Sequence, residues 1–183
     1  MLDCNLQTLP IDLNTVCKNL GVKTVSYQAH WRSREIPPFA KMTDGMAFFS
    51  GERPIILFDG KKTAGRIRFT VAHELGHLVL GHVAPGKVTV INREPTGADS
   101  PLERAANQFA VRLLAPACVL WGIGVQTPQE IAEICHISQP AAQYRAQRMK
   151  TLYRRKKFLA SALEQEVYDR FAPFIEGCLS DGR

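Results

Sequence analysis

The sequence predicts an α+β fold, a small sheet formed early in the chain and packed on helices that fill the rest. Three observations point there. Short β-branched and aromatic runs cluster before residue 60, segments of helical period follow, and Gly, Pro, Asp and Ser separate the elements. The composition is that of an ordinary globular chain, 45% hydrophobic and 22% charged over 183 residues. Collagen-like, coiled-coil and wholly disordered classes are thereby excluded. At roughly 100–200 residues per domain, the length predicts one domain or one with a small appendage.

Each element has its own signal. Leu13, Val16, Cys17 and Leu20 recur at helical spacing, so Ile11–Leu20 reads as a helix stopped by Gly21. Val22–Tyr27 is β-branched and reads as a strand, and His30–Met42, with Pro37-Pro38, as a loop. Met46–Ser50 and Pro54–Phe58 read as two strands joined by Gly51-Glu52-Arg53. Thr63 is placed to cap a helix from Ala64 to about Leu80, and Gly81 to end it. Lys87–Ile91 reads as a short strand and Asn92–Ser100 as a turn-rich link.

Ser100 or Pro101 then opens a helix running to Leu114, with Leu102, Ala106, Phe109, Ala110, Leu113 and Leu114 on one face. Thr127-Pro128-Gln129-Glu130 is a capping box with proline in the first turn, a strong helix start. Ser138-Gln139-Pro140 begins another helix, and a last one is expected from Lys156 to Ala172, ended by Pro173. We expect residues 1–125 to form the core and 126–176 a helical region packed on it. Residues 177–183 are expected to form a flexible tail.

No apolar run approaches the roughly 18 residues of a membrane span; Ile55–Phe58 and Val119–Val125 are far too short. The opening Met1–Leu13 carries Asp3 and Asp12 and does not read as a secretory signal. The five cysteines are scattered, with no C-x-x-C pair. Reduced thiols in a cytoplasm are expected, not a disulfide framework. With 23 Lys+Arg against 17 Asp+Glu, the net charge of +6 favours an anionic partner without identifying it.

One stretch carries chemistry: His73-Glu74-Leu75-Gly76-His77, an H-E-x-x-H inside the expected 64–80 helix. Residues four apart on a helix share a face, so the two imidazoles can reach one tetrahedral Zn2+. Glu74, beside the first histidine, can take a proton from an attacking water. With five His and ten Glu in the chain, the pattern arises by chance on the order of 0.01 times. Ile67, Val71, Leu75 and Leu78 supply an apolar side for the helix.

A catalytic zinc site takes three protein ligands. His82 lies five residues after His77, whereas H-E-x-x-H-x-x-G-x-x-H places its third histidine six after the second. His82 reads better as a helix C-terminal cation. Glu103 is the other candidate. Asn107, four residues later on the same helix, can accept from a histidine N–H and fix its tautomer. A glutamate in a first helical turn is also favoured by the helix dipole, so position alone leaves both readings of Glu103 open.

The stretch Arg66-Ile67-Arg68-Phe69-Thr70-Val71-Ala72-His73-Glu74-Leu75-Gly76-His77 resembles the R-x-R-F-T-x-A-H-E-L-G-H signature of the ImmA/IrrE family of zinc metallopeptidases. Glu103-Arg104-Ala105-Ala106-Asn107-Gln108-Phe109-Ala110, ending in Leu113-Leu114-Ala115-Pro116, is similar to that family's E-x-x-A-N-x-F-A…L-L-M-P helix, with Ala115 where methionine is usual. The likeness extends over roughly residues 8–150. It implies a zincin-like helical domain and a gluzincin-like site, with His73, His77 and Glu103 as zinc ligands and Glu74 as base. It further implies cleavage of a cytoplasmic protein, a helix-turn-helix repressor being the expected substrate.

Candidates for stabilising the reaction's oxyanion are His136, Tyr144 and Arg145. From Arg145 to Lys157 there are seven basic residues and no acidic one. With the two short helices before it, this stripe is similar to a DNA-reading module. Charge runs are usually solvated surface, and that reading is preferred here to direct nucleic-acid binding. The stripe can also capture an acidic protein surface. The rivals to a protease are a DNA-binding regulator with a structural or sensory zinc, and a protein that sequesters a repressor without cutting it.

Overall fold

A computed structural model of the chain describes residues 4–32, 43–85 and 100–180. The expected strand at Lys87–Ile91, the link after it and most of the 30–42 loop lie outside those residues. The architecture is α+β. Two compact units are formed, one from Leu13–Ala110 and the other from the first twelve residues together with the chain from Val111 onward.

In the Leu13–Ala110 unit, helix α1 (Leu13–Asn19) turns at Gly21 into strand β1 (Lys23–Ser26). A single-turn helix α2 (Tyr27–His30) follows, capped by the Ser26 hydroxyl, which accepts from the Ala29 amide. Strands β2 (Gly45–Ser50) and β3 (Arg53–Phe58) form the expected hairpin, tightened to Gly51-Glu52 at its turn. Gly51 has a φ of +62°, a left-handed conformation that glycine adopts without strain. The sheet order is β1-β3-β2, with β1 parallel to β3 and β2 antiparallel to it, in the register Gly45↔Phe58 to Ser50↔Arg53. Helix α3 (Ala64–Val79) packs on the sheet, and its residues Thr70–His77 are buried without interruption. Thr63 occupies the N-cap position but makes no side-chain cap bond.

Helix α4 (Pro101–Leu114) spans the boundary between the units. Beyond it lie α5 (Ala117–Gly122), α6 (Pro128–Cys135) and α7 (Gln139–Arg155). The capping box at α6 is complete: the Thr127 hydroxyl accepts from the Glu130 amide, and the Glu130 carboxylate accepts from the Thr127 amide.

The expected helix from Lys156 to Ala172 is corrected. Helix α7 ends at Arg155, Lys156 caps it with a φ of +49°, and the chain stays out of helix until α8 (Ala162–Arg170). The cause is a second cap. The Ser161 hydroxyl accepts from the Glu164 amide and the Glu164 carboxylate accepts from the Ala160 amide. Pro173 does not end the segment; it sits in the first turn of a further helix, α9 (Ala172–Ser180), where a missing N–H costs little. That helix runs through Gly177, into the segment expected to be a tail. Trp121 stacks on Phe158 at 5.5 Å between ring centroids and also meets Tyr168, joining α5 to the 156–161 break and to α8.

Candidate metal centre

The site is built on α3 because its buried turn carries His73, Glu74 and His77 together, only 2–5% exposed. Buried imidazoles and a buried carboxylate demand partners. Helix α4 supplies one. Glu103 brings one oxygen to 3.2 Å from His73 Nε2 and the other to 3.3 Å from His77 Nε2. The two Nε2 atoms lie 3.0 Å apart. For metal–ligand distances of about 2.0–2.1 Å, the edge of a coordination tetrahedron is about 3.3 Å. These spacings are on the scale of that edge, and His73, His77 and Glu103 can hold a metal ion.

The tautomers agree with that fit. His73 Nδ1 lies 2.9 Å from Asn107 Oδ1, an oxygen that can only accept. The His73 ring proton is thus on Nδ1, and its Nε2 lone pair faces the carboxylate. Two acceptors meeting at 3.2 Å are stable with a cation between them. His77 Nδ1 lies 3.0 Å from His82 Nδ1, so His82 stands behind a histidine of the site and is not one of the three converging donors. The Phe69 ring flanks His73, with centroids 6.3 Å apart.

Two glycines set the approach of the elements, and the sequence reading assigned neither a role. A Cβ on Gly76 would meet Phe109 Cδ1 at 3.1 Å and Ala106 Cα at 3.2 Å. Only glycine lets α4 come close enough to lay Glu103 across the two histidines. A Cβ on Gly45 would overlap Thr70 Cγ2, reach 3.0 Å from the Leu57 carbonyl oxygen and stand 3.4 Å from Glu74 Cγ. Strand β2 is in this way seated against the Glu74 turn. Arg66 clamps the same corner, its guanidinium paired with Asp44 and Nε donating at 2.5 Å. Burial raises the Asp44 pKa, but the hydrogen bonds and charges of Arg66 and Lys62 outweigh it and hold the carboxyl below its ordinary value.

His73, His77, Glu103 and Asn107 are thus brought together. His136, Tyr144 and Arg145 belong to the other unit. His136 is the left-handed cap of α6, with a φ of +50°, and is exposed. Tyr144 is 57% exposed. Arg145 turns inward, donates from Nε to the Ala115 carbonyl at 2.6 Å, and burial pushes its pKa down to about 10. The exposed basic surface is therefore Arg148, Lys150 and Arg154–Lys157.

A helix bearing H-E-x-x-H, crossed by a second helix that contributes a glutamate, is the arrangement of a metallopeptidase. The chain belongs to the peptidase family described as Peptidase_M78, the IrrE N-terminal-like domain, whose model matches residues 17–147. No curated protein matches it. Among the described residues, no helix is long and apolar enough to cross a membrane.

Proposed function

We propose that this chain is a zinc-dependent endopeptidase that cleaves a cytoplasmic protein substrate, a helix-turn-helix repressor being the one implied by the family resemblance. One observation carries it: on the buried turn that holds Glu74, the Nε2 atoms of His73 and His77 lie 3.0 Å apart, and Glu103 on α4 brings one carboxylate oxygen to 3.2 Å from the first and the other to 3.3 Å from the second. Zinc, when bound there, supplies Lewis acidity toward the scissile carbonyl and toward water. Glu74 takes the proton of the attacking water and delivers it to the leaving amine. Strand β2 stands beside this base, a Cβ on Gly45 falling 3.4 Å from Glu74 Cγ.

The test is cleavage of a candidate repressor by the purified chain, with Glu74→Gln alongside. The variant is expected to keep its zinc by elemental analysis and to lose about 10²–10⁴-fold in rate. Cleavage at the wild-type rate removes Glu74 from the mechanism. A second reading has the exposed Arg148–Lys157 surface on the α6–α7 pair bind DNA. It predicts operator binding that weakens steeply with salt, and the inward turn of Arg145 counts against it. If the chain only sequesters a repressor, Glu74→Gln leaves the cellular response unchanged.

A further inference from the structure

His82 is turned back onto the site by the glycine before it. Gly81 takes a φ of +71°, which ends α3 and lets the His82 amide donate to the His77 carbonyl at 2.9 Å. Had the helix run on, residue 82 would lie about 140° around the axis from His77, five steps of about 100°. The turn instead stacks the two rings edge to face, centroids 5.0 Å apart, with the Nδ1 atoms at 3.0 Å. The Nε2 pair of His73 and His77, also 3.0 Å apart, faces Glu103 and a shared cation, whereas the Nδ1 pair on the far side of the His77 ring shares one proton. His77 directs Nε2 at His73 and Glu103, and a neutral ring that offers a lone pair there carries its proton on Nδ1.

We propose that His82 is a positioning residue: its Nδ1 accepts the His77 Nδ1–H and locks His77 in the tautomer whose Nε2 faces the ion. The proposal rests on the metal-site reading above. It gives each imidazole of the site an acceptor behind it, Asn107 Oδ1 for His73 and His82 Nδ1 for His77. Such partners fix ring orientation and raise ligand basicity, and their loss typically weakens metal binding about 10–100-fold.

The geometry makes an isosteric test available. Asparagine carries Oδ1 at the bond distance where histidine carries Nδ1, while glutamine carries its oxygen one bond further out. Zinc affinity is measured on the full chain by competition with a chromophoric chelator, and Co2+ loading is followed by visible absorption. His82→Leu and His82→Gln are expected to weaken zinc binding about 10–100-fold and perturb the cobalt spectrum, while His82→Asn stays within about threefold of wild type. Wild-type affinity in His82→Leu overturns the proposal, as does an asparagine variant as weak as the leucine one. Should His82→Leu fail to fold, the contrast between asparagine and glutamine decides. A wild-type chain that binds no divalent ion overturns the metal-site reading as well; a wild-type chain that binds zinc and variants that bind it equally overturn this inference alone.

Discussion

Gly76→Ala probes how closely the two site helices must approach. The added methyl meets Phe109 Cδ1 at 3.1 Å and Phe109 Cβ and Ala106 Cα at 3.2 Å. Carbon atoms rest near 3.5–4.0 Å, so the helices must part by about 0.3–0.5 Å. No rotamer change relieves this, because two of the three atoms are fixed to the α4 backbone. On its other face α3 is held at Gly45 and Thr70, so α4 is the element that yields. Glu103, three residues before Ala106, moves with it. Metal–ligand distances tolerate only about 0.2 Å, and the expected fall in zinc affinity is about tenfold or more. Two terms act on the metal-free chain. Alanine is better than glycine in a helix by about 0.8–1.0 kcal/mol, and crowding costs about 1–3 kcal/mol. The net change is about 0–2 kcal/mol of destabilisation, or at most roughly 8 °C in Tm for a chain of this size. Chelator competition and thermal unfolding of the apo-protein measure both. An unchanged zinc affinity with a raised apo Tm would show that the methyl fits, and the close-approach argument would fail.

Further outcomes follow from single contacts. Glu103→Ala leaves only two imidazoles, and bound zinc by elemental analysis is expected to fall from about one ion per chain to a trace; full occupancy would refute the three-donor site. Asp44 has its folded pKa lowered, so between its unfolded and folded values the unfolded chain binds more protons and stability rises with pH. Its contribution is complete above about pH 4 and is lost as pH falls through the lower folded value. The urea midpoints of wild type and Asp44→Asn should therefore converge on acidification, and a constant gap from about pH 5 to pH 2 would exclude this. Thr127→Ala breaks the α6 capping box and should cost about 1 kcal/mol, near 2–4 °C in Tm, with Thr127→Ser largely restoring it.

How much of this was legible in the sequence depends on the range of the interaction involved. The boundaries of α3 and α4 could be read almost to the residue, because both carry an apolar stripe of helical period and a proline or glycine at an end. The α6 start was legible for the same reason. The break in the 156–172 segment is hidden although its signal is also local: Phe158, Leu163, Val167 and Phe171 keep near-helical spacing across it, and that period masks the Ser161 cap. The chain can break here because the Ser161 hydroxyl and Glu164 carboxylate give the Glu164 and Ala160 amides partners that replace the carbonyls of a continued helix. Helix α5 carries no sequence signal because its run, Ala117–Gly122, is too short and too apolar to show a face.

The site divides along the same line. His73 and His77 are four apart on one helix, and so are Glu103 and Asn107 on the next, so each pair is a local spacing. What joins the pairs is the missing side chain of Gly76, which has no periodic signature and gains meaning only from Ala106 and Phe109 thirty residues away. His82 shows the converse. On an ideal helix its position excludes it from His77, and the left-handed φ of Gly81 reverses that. A spacing rule asks where a residue would lie if the helix continued; a glycine at the end of α3 is the reason to ask where it lies when the helix stops.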